Sequence, residues 1–112
     1  MLPKKSRLSS RQDFARILAS KGSYRSGPFS LRVIRNSLSH NRFAITIPVT
    51  VSKKATVRNT LRRRFHAILE KANPKLHIGF DCAFRAYPGA EKLDFAALEA
   101  HIYDQFSRSG LL

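Results

Sequence analysis

Val57, Leu61, Phe65, Ile68, Leu69 and Ala72 recur at intervals that, at about 100° per residue, gather them into one stripe along a helix. Ser52 is read as its N-cap, the helix runs to about Asn73, and Pro74 forbids its continuation. A helix apolar along one side only must bury that side against another layer of structure. The rest of its surface is cationic. Arg58 and Arg62 stack along one flank, Asn59, Arg63 and His66 project to the solvent side, and Arg64 and Lys71 take the other flank.

The remaining segments supply the layers. Met1 to Leu8 has no periodicity and reads as a flexible basic lead-in. Ser9 or Ser10 caps a first helix, with Gln12 or Asp13 completing the capping box and Lys21-Gly22 ending it; Phe14, Ile17 and Leu18 share one side. YRSGPF is a loop by its Gly-Pro pair. FSLRVI then alternates as a strand with Phe29, Leu31 and Val33 on one face, and NSLSHN is a turn.

RFAITIPVTV alternates for longer, with Phe43, Ile45, Ile47, Val49 and Val51 on one face. Pro48 places that strand at an edge or interrupts it. IGFDCAFRAY is a further strand and PGA a turn. A last helix runs from about Leu93 or Asp94 to Ser109, with Phe95, Leu98, Ile102 and Phe106 inward and Gly110 as its stop. The order α-β-β-(β)-α-β-α, with room for one short extra strand, predicts a two-layer α/β (α+β) sandwich around a single mixed sheet of about four strands. Its 112 residues suit one domain, 1–112.

Charge then narrows the function. Lys and Arg number 21 against 7 Asp and Glu, a formal net charge of +14, and no acid stands between Asp13 and Glu70. Like charges four apart on a helix destabilise it, so a polyanion outside the chain is the expected compensation. Arginine's planar fork suits phosphate, Lys53 and Lys54 add point charges near the helix start, and Asn59 suits a 2′-hydroxyl or a base edge. A merely solvated basic face is the alternative. At helical spacing Phe14 and Leu18 fit a core stripe or a platform for an unpaired nucleotide.

Several chemistries are disfavoured. Cys82 stands alone, which excludes an internal disulfide and any multi-Cys zinc site and suits a buried thiol in a reducing compartment. His40, His66, His77 and His101 lack metal-ligand spacing, and the basic half has no paired carboxylates, nucleophile triad or glycine-rich phosphate loop. No metal site and no catalytic group of its own are expected. A membrane span and a signal peptide are absent from the pattern, which makes the cytoplasm the default location.

At ATVRNTLRRR the sequence resembles the protein subunit of bacterial ribonuclease P, whose signature is a helix bearing Arg-Asn-Arg and, after two positions, a basic pair. Arg58 and Asn59 match the first two positions, and Arg62 and Arg63 fall near the basic pair. Thr60 stands at the third, with Arg64 as candidate substitute on another side of the helix. RLSSRQDFARILASKG, the two strands and FDCAFRAYPGAEKLDFAALEAHI extend the similarity over most of the chain. Leu18 stands where the family usually has an aromatic. Val49 and Thr50 replace a Lys pair for which Lys53 and Lys54 are candidates, and Tyr87 replaces an Arg common before the last strand's Pro.

The resemblance implies a left-handed β-α-β crossover. It also implies a division of labour in which the RNA subunit, with Mg²⁺, removes the 5′ leader of precursor tRNA while the protein binds both RNAs. Lys53, Lys54, Arg58, Asn59, Arg62, Arg63 and Arg64 would meet the catalytic RNA, and a cleft with Phe14, Leu18, Phe29 and Arg32 would hold the leader. No oligomer and no membrane are required. Two rival readings are a structural RNA-binding protein, ribosomal for instance, and a basic amphipathic helix at anionic membranes, against which Asn59 and the missing wide apolar face count.

Overall fold

From Leu61 onward the apolar stripe buries as its spacing demands, whereas Val57 is only partly buried. In the computed structural model, which describes residues 2–8, 10–20 and 22–112, helix α2 spans Ala55–Ala72, and Leu61, Phe65, Ile68, Leu69 and Ala72 are buried against a sheet. Each such large side chain contributes about 1.5–3 kcal/mol on burial. The helix starts later than expected. Lys54 is its N-cap, and the Ser52 hydroxyl accepts from the Lys54 N–H in the turn ahead of it.

Four strands form the sheet in the order β1-β2-β4-β3: β1 Tyr24–Ser26, β2 Phe29–Arg35, β3 Arg42–Thr46 and β4 Phe80–Ala86. β1, β2 and β4 pair antiparallel, whereas β3 lies parallel to β4, so α2 is the crossover of a β3-α2-β4 unit. The extra strand is β1, inside the stretch read as a loop. Gly27, at φ +53°, turns the chain so tightly from β1 to β2 that a Cβ there would stand 2.5 Å from the His101 ring.

Alternation divides the sheet into two faces. Phe29, Leu31, Phe43, Cys82 and Phe84 point to α2 and to α3, Phe95–Ser109, in the main core. Phe29, Phe65, Phe84 and Phe106 form a chain of edge-to-face contacts with centroids 5.2–5.6 Å apart. On the other face α1, Arg11–Ala19, covers only part of the sheet: Ile17 packs with Leu8 and Ala83, and with Phe14, Ile34 and Ala44 at the margin.

Helix ends follow their cap chemistry. The Ser10 hydroxyl accepts from the Asp13 N–H at the start of α1, whereas Ser9 and Lys21, the other expected boundary residues, lie outside the described residues. Asp94 caps α3, and Gly110 ends it in the left-handed conformation. Phe95, expected to face inward, is 42% exposed because it opens the first turn, ahead of the stripe made by Leu98, Ile102 and Phe106.

Two segments depart from expectation. β3 ends at Thr46; Pro48 accepts from the Val51 N–H in a turn, which leaves Val49 62% exposed although Ile47 and Val51 bury. The lead-in is docked. The Leu8 N–H donates to the Phe43 carbonyl at 2.8 Å, Arg7 bridges to Phe43, and Leu2, Ser6 and Leu8 are buried. Two leucines, too few to show a periodicity, anchor it over the free edge of β3.

Candidate nucleic-acid interface

α2 presents the first cationic surface. Arg63, Asn59, Lys53 and Lys54 are exposed, and neither lysine nor Arg63 has a side-chain hydrogen bond or ion pair with another described residue. Arg58 and Arg62 are oriented by the protein itself. Arg58 Nη1 donates to the Ser52 carbonyl at 2.7 Å, tying the helix to the turn before it, and Arg62 Nη1 donates to Asn59 Oδ1 at 2.8 Å. Each guanidinium keeps further donors for a phosphate, and fixing its stem lowers the entropy cost of using them.

One expectation for α2 changes. His66 is 7% exposed, on the side covered by the docked lead-in, where its Nδ1 accepts from the Leu2 N–H at 3.4 Å. Burial, with Arg7 and Arg62 nearby, holds its pKa below the usual histidine value. Arg64 points away from Arg58 and Arg62, donating to the Leu93 carbonyl at 3.4 Å beside Glu91. Thr60 is exposed, and its hydroxyl is spent on the Thr56 carbonyl at 2.9 Å.

The second surface is the part of the sheet that α1 leaves open. A cleft of about 460 Å³ lies there, lined by Phe14, Leu18, Arg25, Ser30, Arg32, Arg85 and Tyr87 among others. Phe14 is half-buried and Leu18 is 59% exposed, so the α1 residues form an apolar wall rather than a closed core. Arg32 is steadied by donating to the Ser20 carbonyl at 2.8 Å. Phe29 does not belong to this cleft. It is fully buried on the opposite face, as its odd-numbered register with Leu31 requires.

The sequence reading missed Arg25, Arg85 and Tyr87 as lining residues. Arg25 lay in a stretch read as a loop, while the period-2 pattern of β4 that carries Arg85 to the open face extends to Tyr87. The two surfaces are not separate. Phe14 lines both the cleft and a smaller hollow of about 240 Å³ that reaches Arg7, Arg62 and His66 across the edge of β3.

The carboxylates near this region are already engaged: Arg42 pairs with both Asp13 and Asp81, leaving neither free for acid-base work. The described residues contain no group of three metal-ligating side chains, and the cationic surfaces do not fit a dedicated Mg²⁺ site. No helix among them is long and apolar enough to cross a membrane.

Residues 2–110 match the family described as Ribonuclease P. The ribonuclease P protein component of Synechocystis sp. is 32% identical over 112 residues, covering 99% of this chain and 90% of the relative. That of Microcystis aeruginosa is 32% identical over 98 residues, covering 84% and 82%. Among solved structures, a mutant Staphylococcus aureus RNase P protein superposes with a TM-score of 0.89 at 17% identity, covering 97% of this chain and 92% of that one. The Thermotoga maritima RNase P protein does so at 0.81 and 24%, covering 91% and 96%. At these identities the structural likeness carries the fold, and nothing in the comparisons favours the ribosomal alternative. The family match over nearly the whole chain, with the signature residues on the exposed side of α2, places this protein in the ribonuclease P protein component family.

Proposed function

We propose that the chain is the RNA-binding subunit of a ribonucleoprotein endonuclease that removes the 5′ leader of precursor tRNA, with the bond-breaking chemistry on a ribonuclease P RNA. The observation that carries this reading is the pair of cationic surfaces that meet at Phe14. One, on α2, presents Arg58, Asn59, Arg62 and Arg63, with Lys53 and Lys54 at its start, and suits the backbone of a folded RNA. The other, the cleft of about 460 Å³, combines an apolar wall with arginines, which suits a single strand. A chain that binds enzyme RNA on one surface and leader on the other holds the substrate at the cutting site without a catalytic group of its own.

Mg²⁺ belongs to the RNA in this reading, and the protein's cations reduce the repulsion between two polyanions. That substrate makes the cytoplasm the place of action. The test is reconstitution with the cognate RNA at limiting Mg²⁺. Added protein is expected to increase cleavage of precursor tRNA at the mature 5′ end. Cleavage that is the same with and without it would overturn the proposal.

A further inference from the structure

Strand register places four side chains in one row across the open face: Arg25 on β1 opposite Ser30 on β2, Ser30 opposite Arg85 on β4, and Arg85 opposite Thr46 on β3. Both arginines therefore flank a short hydroxyl residue, with open space above it in the cleft. They are also tied to one aromatic ring. The Arg25 guanidinium lies 4.0 Å from the Tyr87 ring centroid and that of Arg85 lies 5.6 Å from it.

The cations are oriented but not neutralised. Arg25 Nε donates to the Gly27 carbonyl at 3.0 Å, which leaves its two terminal nitrogens to face the cleft or solvent. The Arg85 side chain makes no hydrogen bond or ion pair with another described residue. No Asp or Glu is among the residues that line the cleft. Two guanidinium groups gathered on one ring repel each other, and an anion accepting from both relieves that repulsion.

We propose that Arg25, Ser30 and Arg85 form one phosphate-binding subsite, oriented by Tyr87, for a single phosphodiester of the single-stranded RNA segment in the cleft. It rests on the leader-binding reading given above and adds which backbone group is held and by what. A tetrahedral phosphate has enough acceptor oxygens for both guanidinium groups and the Ser30 hydroxyl together. Tyr87 acts as a positioning residue. The ring adds no charge of its own and instead sets the direction of the two arginines.

The experiment is a titration of the whole protein with a short fluorescein-labelled oligouridylate over a range of salt concentrations. Arg25→Ala and Arg85→Ala are each expected to weaken binding about tenfold. The double variant is expected to fall well short of the product of the two, because both act on one group. Its log–log salt slope should drop by one phosphate's worth, about 0.7, relative to the unaltered protein. Multiplying effects, or a slope loss of about twice that size, would mean two separate phosphates and overturn the shared subsite.

Tyr87→Leu should weaken binding while Tyr87→Phe retains it; equal losses would assign the effect to the hydroxyl and overturn the positioning role. Circular dichroism checks each fold, and Arg→Gln replaces any Ala variant that fails it. Binding that ignores every variant overturns the subsite and leaves the leader reading standing. An unaltered protein that binds no oligonucleotide overturns both.

Discussion

Arg42 on β3 clasps Asp81 on β4 through two parallel hydrogen bonds, Nε to Oδ1 at 2.9 Å and Nη2 to Oδ2 at 2.7 Å, while its Nη1 reaches Asp13 on α1 at 3.0 Å. Asp81 is fully buried, and Asn36 also donates to it at 2.8 Å. The hydrogen bond to Asp81 is the main reason the Arg42 pKa is raised. This arginine joins the parallel edge strand and α1 to the sheet and is not free to bind RNA. Arg42→Ala leaves a buried carboxylate without its cation and is expected to cost about 3–5 kcal/mol. Urea unfolding measures this, and a loss within experimental error would refute the clasp.

His66 gives the fold an acid sensitivity. Its folded-state pKa is lowered first by burial and then by nearby positive charge including Arg7 and Arg62, with Glu70 opposing. The unfolded chain therefore binds the proton more readily, so the contribution of neutral His66 is fully present above about pH 6.5 and is lost as pH falls through the lower folded value. Melting temperature should decline over that window in the unaltered protein and decline less in His66→Gln. Equal slopes for the two would remove His66 as the cause.

Arg58 and Arg63 are expected to separate stability from RNA binding. Arg63→Ala removes an exposed side chain and should leave stability within about 0.5 kcal/mol. It should lower the salt slope for ribonuclease P RNA by about one per lost phosphate contact. Arg58→Ala also breaks the 2.7 Å bond to the Ser52 carbonyl, so it should reduce RNA affinity and thermal stability together. Filter binding with parallel thermal melts distinguishes the two patterns.

Phe14 stands where the two surfaces meet and is half-buried beside Ile17. Phe14→Ala should weaken binding of leader-bearing precursor tRNA by about 1–3 kcal/mol, the worth of one stacked base, and leave leaderless tRNA little changed. An equal loss for both RNAs would assign the ring to packing alone.

Gly27 tests the hairpin that places Arg25. An Ala side chain there meets the His101 ring and must adopt φ +53°. Gly27→Ala should therefore lower stability by about 1–3 kcal/mol, read by urea unfolding. A neutral result would show that the turn relaxes.

Local periodicity determined a good deal without any tertiary information. The stripe from Val57 to Ala72, the alternation of Phe29, Leu31 and Val33, and the stop at Gly110 are legible because each depends on neighbours along the chain. So is the assignment of Arg58, Asn59 and Arg63 away from the core, since a helix with one apolar side leaves the rest to solvent. Only the tertiary structure decided what covers each side. His66 lies on the polar part of its helix, yet it is buried because residues distant in sequence dock over it. The resemblance groups Phe29 with Phe14 and Leu18 in a leader cleft, but strand pairing sends it to the other face. The row of Arg25, Ser30 and Arg85 exists only through register. A pairing of strands from opposite ends of the chain is a non-local choice made by the whole core, and no single segment encodes it.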